Sequence, residues 1–192
     1  MNRQELRRYL LRNEITGEFT IESEVNKMTN NAKINGFLTN LSDYNNGTMT
    51  GRWVAFPMTD DELTKALESV GIDDEHEYFF TDWDCEIDCE FGEFENILAV
   101  NELARELEEV EDIDHLEAYI EATGYELKEA IENYESSTFY PNMELIDIAY
   151  EIVNDCYNLP EFALTYFDYE AFARDLSFDG YTETENGTIC MY

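Results

Sequence analysis

The sequence predicts an α+β fold, and three observations carry that prediction. Strands and a helix are mixed over residues 34–95, helical periodicity alone runs over 96–135, and both return over 136–192. Apolar residues make up 44% of the chain, with 13 Tyr and 12 Phe, enough to build a core that a disordered acidic chain lacks. Capping and turn residues stand where the periodicities change, at Thr59, Gly71, Gly124 and Asn186-Gly187. A chain of 192 residues accommodates one medium domain or two to three small ones.

Residues 1–33 read as a basic and polar extension. MNRQELRRYLLR, residues 1–12, has helical spacing with Leu6 and Leu10 on one side, and an Asn30-Asn31 linker follows. Two readings of the basic tip stand: a solvated helix, or a strip folded back on the acidic body. Strands are expected at Ile34–Leu41 and Thr48–Phe56, joined at Asn45-Asn46-Gly47, which tolerates positive φ. Pro57 stops the second strand. Thr59 then caps a helix, Asp60–Val70, with Asp61 and Glu62 in the first turn, where the dipole favours acids, and Gly71 after its end.

From Asp82 to Phe91 the residues alternate strictly. Asp82, Asp84, Glu86, Asp88 and Glu90 hold one parity; Trp83, Cys85, Ile87, Cys89 and Phe91 hold the other. This predicts a half-buried strand with five carboxylates on its open face, spaced about 6.6–6.8 Å apart. The surrounding stretch, Asp73 to Glu95, has 11 acids in 23 residues and neither Lys nor Arg. Three helices follow, marked by Leu98, Leu103, Leu107 and Val110, by Leu116, Tyr119 and Ile120, and by Leu127, Ala130, Ile131 and Tyr134. Glu102, Glu106 and Glu109, and Glu117 and Glu121, recur at helical spacing as like charges, which mildly disfavours each helix. The last third reads as a strand at Ser136–Tyr140, a helix from Pro141-Asn142 to about Tyr157, a short helix from Asp168 to Leu176, and a hairpin of Gly180–Glu185 with Thr188–Tyr192 turning at Asn186-Gly187.

Charge narrows the function. The formal net charge is −34, and residues 1–52 carry seven of the 11 bases but six of the 45 acids, leaving 39 acids against four bases beyond them. Such a field disfavours nucleic acid and anionic membrane and favours basic partners or cations. No apolar run approaches a membrane span and no signal peptide follows Arg7-Arg8. Cys85 and Cys89, four apart on the expected strand, are too distant to bridge, so buried thiols and a reducing cytosol are expected.

No nucleophile motif, P-loop or dinucleotide glycine pattern occurs, and His76 and His115 have no Ser or Cys at a recognisable spacing. Asp82–Glu90 lacks the mid-loop Gly of an EF-hand. No catalytic residue, metal site or cofactor is therefore expected. A carboxylate pair carries no weight among 45 acids. What remains is imitation of a polynucleotide, which presents one negative charge per about 1.7 Å of duplex axis. The carboxylates that would stand in for phosphates are Asp82, Asp84, Glu86, Asp88, Glu90, Glu102, Glu106, Glu109, Glu117 and Glu121.

Three stretches carry a resemblance to a known family: NLSDYNNGTMTGRWVAFPM from Asn40, FENILAVNELA from Phe94, and FDYEAFARDLSFDGYTETENGTICMY from Phe167. In their order, spacing and acidity they resemble the ArdA-type antirestriction proteins over about residues 36–192. The resemblance implies a non-enzymatic DNA mimic, encoded on mobile elements, that occupies the DNA-binding channel of type I restriction–modification enzymes. It also implies an elongated subunit with a small α+β N-terminal domain, a helical middle and an α+β C-terminal domain through which a homodimer forms. An antirestriction segment would fall near Leu116–Tyr134. Residues 1–35 depart from the family pattern and put the target in question. A mimic aimed at a nucleoid protein, a recombinase or another defence nuclease is the alternative, followed by a cation-dependent acidic enzyme.

Overall fold

The computed structural model describes residues 32–73 and 77–191; the expected helix at 1–12, the Asn30-Asn31 linker and His76 lie outside the described residues. The fold is α+β. It runs β1 (Ile34–Asn40), α1 (Leu41–Asn45), β2 (Gly51–Phe56), α2 (Asp60–Ser69), β3 (Tyr78–Cys85), α3 (Ile97–Glu108), α4 (Ile113–Thr123), α5 (Leu127–Asn133), a 3₁₀ turn (Tyr134–Ser136), β4 (Thr138–Pro141), α6 (Leu145–Cys156), α7 (Glu161–Thr165), α8 (Tyr169–Leu176), β5 (Tyr181–Thr184) and β6 (Gly187–Cys190).

Among the described residues two antiparallel three-stranded sheets form, in the orders β2-β1-β3 and β4-β6-β5. The connection between β1 and β2 is helical rather than a plain turn. The Asn40 side chain accepts from the Asp43 N–H and caps α1, while its amide donates to the carbonyls of Val70 and Gly71. Helix α2 starts as expected. Thr59 and Glu62 close a capping box, each side chain bonded to the other's backbone N–H.

Strand β3 carries a bulge. Opposite β1, Gly36 pairs with Trp83 and Leu38 with Phe80, so β3 spends one residue more than its partner over this interval. The bulge puts Phe80 and Trp83 on the same face, rings 4.2 Å apart, although their spacing is odd. A Cβ on Gly36 would come within 2.8 Å of both rings, so glycine is what lets them close over β1.

The main core joins this sheet to helices α2–α5. Ile34, Leu38, Phe56 and Phe80 meet Val70, Val100, Leu107, Leu116 and Leu127, and Ile189 of β6 enters the same cluster. Asn101 of α3 ties the helical layer to the chain after β2: its carbonyl accepts the Met58 N–H and its amide donates to the Met58 carbonyl. A second, smaller cluster holds Ile148, Ala149, Ala173 and Leu176, packing α6 on α8.

Several boundaries differ from expectation. Helix α6 starts at Leu145 rather than at Pro141, because Pro141 closes β4 and Asn142 turns the chain at φ 57°. Glu144 and Asp147 supply its capping box. A further short helix, α7, follows Pro160, between the helices expected to end near Tyr157 and to begin at Asp168. The Asn186-Gly187 hairpin forms in the expected place, with Thr184 opposite Gly187.

Candidate acidic interface

The alternating stretch is a strand for less than half its length. β3 ends at Cys85, and the chain bends at Glu86 and Ile87, which corrects the expected strand of Asp82–Phe91 and its evenly spaced row of acids. The reason lies in the partner. β1 begins at Ile34, opposite Cys85, and the ladder has one further bond, from the Glu86 N–H to the Lys33 carbonyl. Beyond that, alternation has no strand to pair with.

The inward and outward alternation nevertheless survives. Asp84, Glu86, Asp88 and Glu90 are exposed, Ile87 is buried, and Cys85, Cys89 and Phe91 are half-buried. Burial of the apolar residues, rather than sheet hydrogen bonding, sets which way the carboxylates face. The segment then doubles back along β3. The Phe80 N–H donates to the Glu93 carbonyl at 2.7 Å, the Trp83 indole N–H donates to the Gly92 carbonyl at 3.1 Å, and the Trp83 and Phe91 rings stack at 4.7 Å. Glu95 accepts the Gly92 N–H. The result is an acidic loop pinned at Ile87, Phe91 and Gly92.

The other named carboxylates are not equivalent. Asp82 is half-buried and turns back to accept the Trp83 N–H. Glu102 and Glu109 are exposed on α3 and at its C-terminal end, whereas Glu106 is half-buried with one oxygen sealed from solvent and without a hydrogen-bond partner among the described residues. On α4, Glu117 accepts from the Asn186 amide and Glu121 from the Glu185 N–H, each at 2.9 Å. Those two acids fasten the β5–β6 turn to the helical layer.

Several cations do little to offset this charge. Lys33 donates to the Leu107 carbonyl, Arg105 to the Met58 carbonyl and Arg52 to the Ser69 hydroxyl, while Arg174 pairs with its neighbour Asp175 at 3.0 Å. Between the acidic loop and helices α4 and α5 lies a groove of about 660 Å³, with Phe91, Leu103 and Leu127 lining it beside Asp88, Glu90 and Glu126 and one cation, Lys128.

One polar pair escaped the sequence reading. The His115 Nε2 lies 2.8 Å from the Ser137 Oγ, 22 residues on, and its ring stacks on Phe139. The Ser137 hydroxyl donates to the Tyr134 carbonyl at 2.6 Å, so its single proton is committed and His115 must be the donor to it. A histidine that donates to a serine does not activate it. Burial lowers the His115 pKa, with Asp112 and Glu135 opposing, which favours the neutral tautomer that carries its proton on Nε2. Among the described residues no three His, Cys, Asp or Glu side chains converge as a metal-ligand set, and no helix is long and apolar enough to cross a membrane.

A family model described as antirestriction protein (ArdA) matches residues 37–190, from within β1 to the end of β6, and so includes the acidic loop. No curated protein matches the chain.

Proposed function

The chain belongs to the ArdA antirestriction protein family, and from that premise we propose that it inhibits a type I restriction–modification enzyme by filling its DNA-binding channel with carboxylates in place of phosphates. The observation that carries the proposal is the acidic loop. Asp84, Glu86, Asp88 and Glu90 all face solvent, held outward by a buried Ile87 and a Trp83 clamp, within a stretch of 11 acids and no Lys or Arg. A run of exposed acids on one support costs folding energy through mutual repulsion and is explained by a basic partner. The groove beside the loop suits the side chains such a partner brings: an apolar floor for a Lys or Arg stem, with carboxylates for its head.

In this account Asp84, Glu86, Asp88, Glu90, Glu102 and Glu109 are the contacting carboxylates. Glu117 and Glu121 act first by holding the hairpin, and Asp82 and Glu106 contribute to the field from partly buried positions. The protein performs no catalysis, needs no cofactor and works as a homodimer. Because attraction is summed over many charges, changing any single one of these acids to Ala or Gln leaves inhibition nearly unaltered, while neutralising the loop as a group weakens it at moderate salt. Loss of inhibition from one conservative carboxylate swap, with the fold intact, would replace mimicry with a specific site. Pull-down from a cell extract separates a restriction complex from a nucleoid protein or recombinase as the target, and sedimentation equilibrium reads the dimer.

A further inference from the structure

The bend after Cys85 has a second consequence. Cys85 and Cys89, expected about four strand residues apart, instead bring their sulfurs to 3.3 Å, with the Cys89 S–H donating to the Cys85 sulfur. The sequence reading that they are too distant to bridge is overturned, because it assumed a strand through both. A disulfide needs the sulfurs at about 2.05 Å, little more than 1 Å closer. Past the Glu86 N–H bond to the Lys33 carbonyl, Ile87 and Asp88 have no partner strand among the described residues.

We propose that Cys85 and Cys89 form a reversible oxidation site that closes to an intramolecular disulfide across the acidic bend. Its reactant is a small-molecule disulfide such as oxidised glutathione. One thiolate of the pair attacks a glutathione sulfur and expels one glutathione thiolate, leaving a mixed disulfide. The second cysteine's thiolate attacks the protein sulfur of that adduct and expels the other glutathione. Two cysteine thiols are oxidised, one glutathione disulfide is reduced, and the two thiol protons pass to the two departing glutathiones.

Three features suit the pair to this chemistry. Cys89 lines the groove beside Phe91 and Leu127, where a small disulfide can reach it. The Cys89 hydrogen bond holds the Cys85 thiol below its ordinary pKa, against burial and the charges of Asp84 and Glu86. The remaining cysteines stand apart from it: Cys156 is exposed at the end of α6 and Cys190 is fully buried in β6. Closure changes no charge on the acidic loop. It confines Glu86 and Asp88 to one backbone geometry, so oxidation stiffens the loop that bears the exposed acids and reduction loosens it.

The test uses the full-length chain with Cys156→Ser, which removes the exposed competing thiol. The folded protein is treated with oxidised glutathione, quenched by alkylation and mapped by peptide mass. The expected product has lost two hydrogens, carries a Cys85–Cys89 link and no glutathione, and reverts with dithiothreitol. Amide exchange over Glu86–Glu90 slows in the oxidised form. In Cys89→Ser the glutathione adduct stays on Cys85, and in Cys85→Ser it stays on Cys89, because the resolving thiol is gone. Separate stable adducts on both cysteines of the folded protein, a link to Cys190, or full alkylation of both thiols after treatment that loads Cys156 in the unsubstituted chain would each overturn the proposal. The unsubstituted pair decides the matter even if a serine variant fails to fold.

Discussion

Glu117 accepts a hydrogen bond from the side-chain amide of Asn186 at 2.9 Å, across 69 residues of sequence. One helical turn away, Glu121 accepts the Glu185 N–H at the same distance. Two carboxylates that helical spacing alone casts as surface charge are thereby structural: they hold the turn of the last hairpin against α4. The expected effect follows from the bond and not from the charge. Glu117→Ala should destabilise the protein by about 1 kcal/mol, whereas Glu117→Gln, which keeps an acceptor oxygen, should cost less than half of that. A double-mutant cycle with Asn186→Ala, read by urea unfolding, should return most of the Glu117→Ala loss as coupling energy.

The anchors of the acidic loop give a second expectation. Ile87 is 2% exposed and packs in the main core. Ile87→Ala should cost about 2–4 kcal/mol and should increase proteolysis between Glu86 and Glu95. Gly36→Ala places a methyl against the Phe80 and Trp83 rings and should cost about 1–3 kcal/mol through overpacking. Thermal denaturation of the two variants checks both values.

The Thr59 cap supplies a third. Thr59→Ala removes the acceptor for the Glu62 N–H and breaks the capping box, for an expected loss of about 1 kcal/mol. The Thr59 backbone N–H and hydroxyl hold the Glu62 carboxyl below its ordinary pKa. The stability from that bond is therefore present above the usual carboxylate range and disappears as pH falls through the depressed value. NMR titration should show the Glu62 pKa rising toward its ordinary value in Thr59→Ala, where the hydroxyl bond is lost.

His115 sets a fourth, with the opposite partner chemistry. Burial lowers its folded pKa, so the unfolded chain binds this proton more readily. Stability is then unaffected above the ordinary histidine pKa of about 6.5 and declines as pH falls below it toward the depressed folded value. His115→Gln retains an N–H donor for Ser137 and should flatten the change in urea midpoint between pH 7.5 and 5.5. An unchanged slope would mean that the ring is not the titrating group.

How much of this was legible depends on the range of the force involved. The Thr59 cap, the end of α4 at Gly124 and the Asn186-Gly187 hairpin are local: each is decided by a few neighbouring residues, and each forms where the sequence places it. The end of β3 is not local. It is set by where β1 starts, and no pattern within Asp82–Phe91 encodes that. The same missing information misplaced Cys85 and Cys89, since a strand separates residues that a bend brings together. Alternation did report correctly on burial, because Ile87 and Phe91 turn inward whether or not a ladder continues. The pairing of His115 with Ser137 and of Glu117 with Asn186 arises from packing between distant elements, and composition gave no signal of either.

The central claim is that exposed carboxylates compete with DNA phosphates for one basic channel. The most direct measurement is displacement of duplex DNA from a purified type I restriction–modification complex, followed as NaCl is raised. The account predicts that direct binding of the protein to the DNA-free complex, measured alongside, weakens by an order of magnitude or more between about 50 and 200 mM salt. It further predicts that the combined variant Asp84→Asn, Glu86→Gln, Asp88→Asn and Glu90→Gln displaces far less at moderate salt while keeping its fold. Direct binding that ignores salt, or displacement that survives the fourfold neutralisation unchanged, would contradict it.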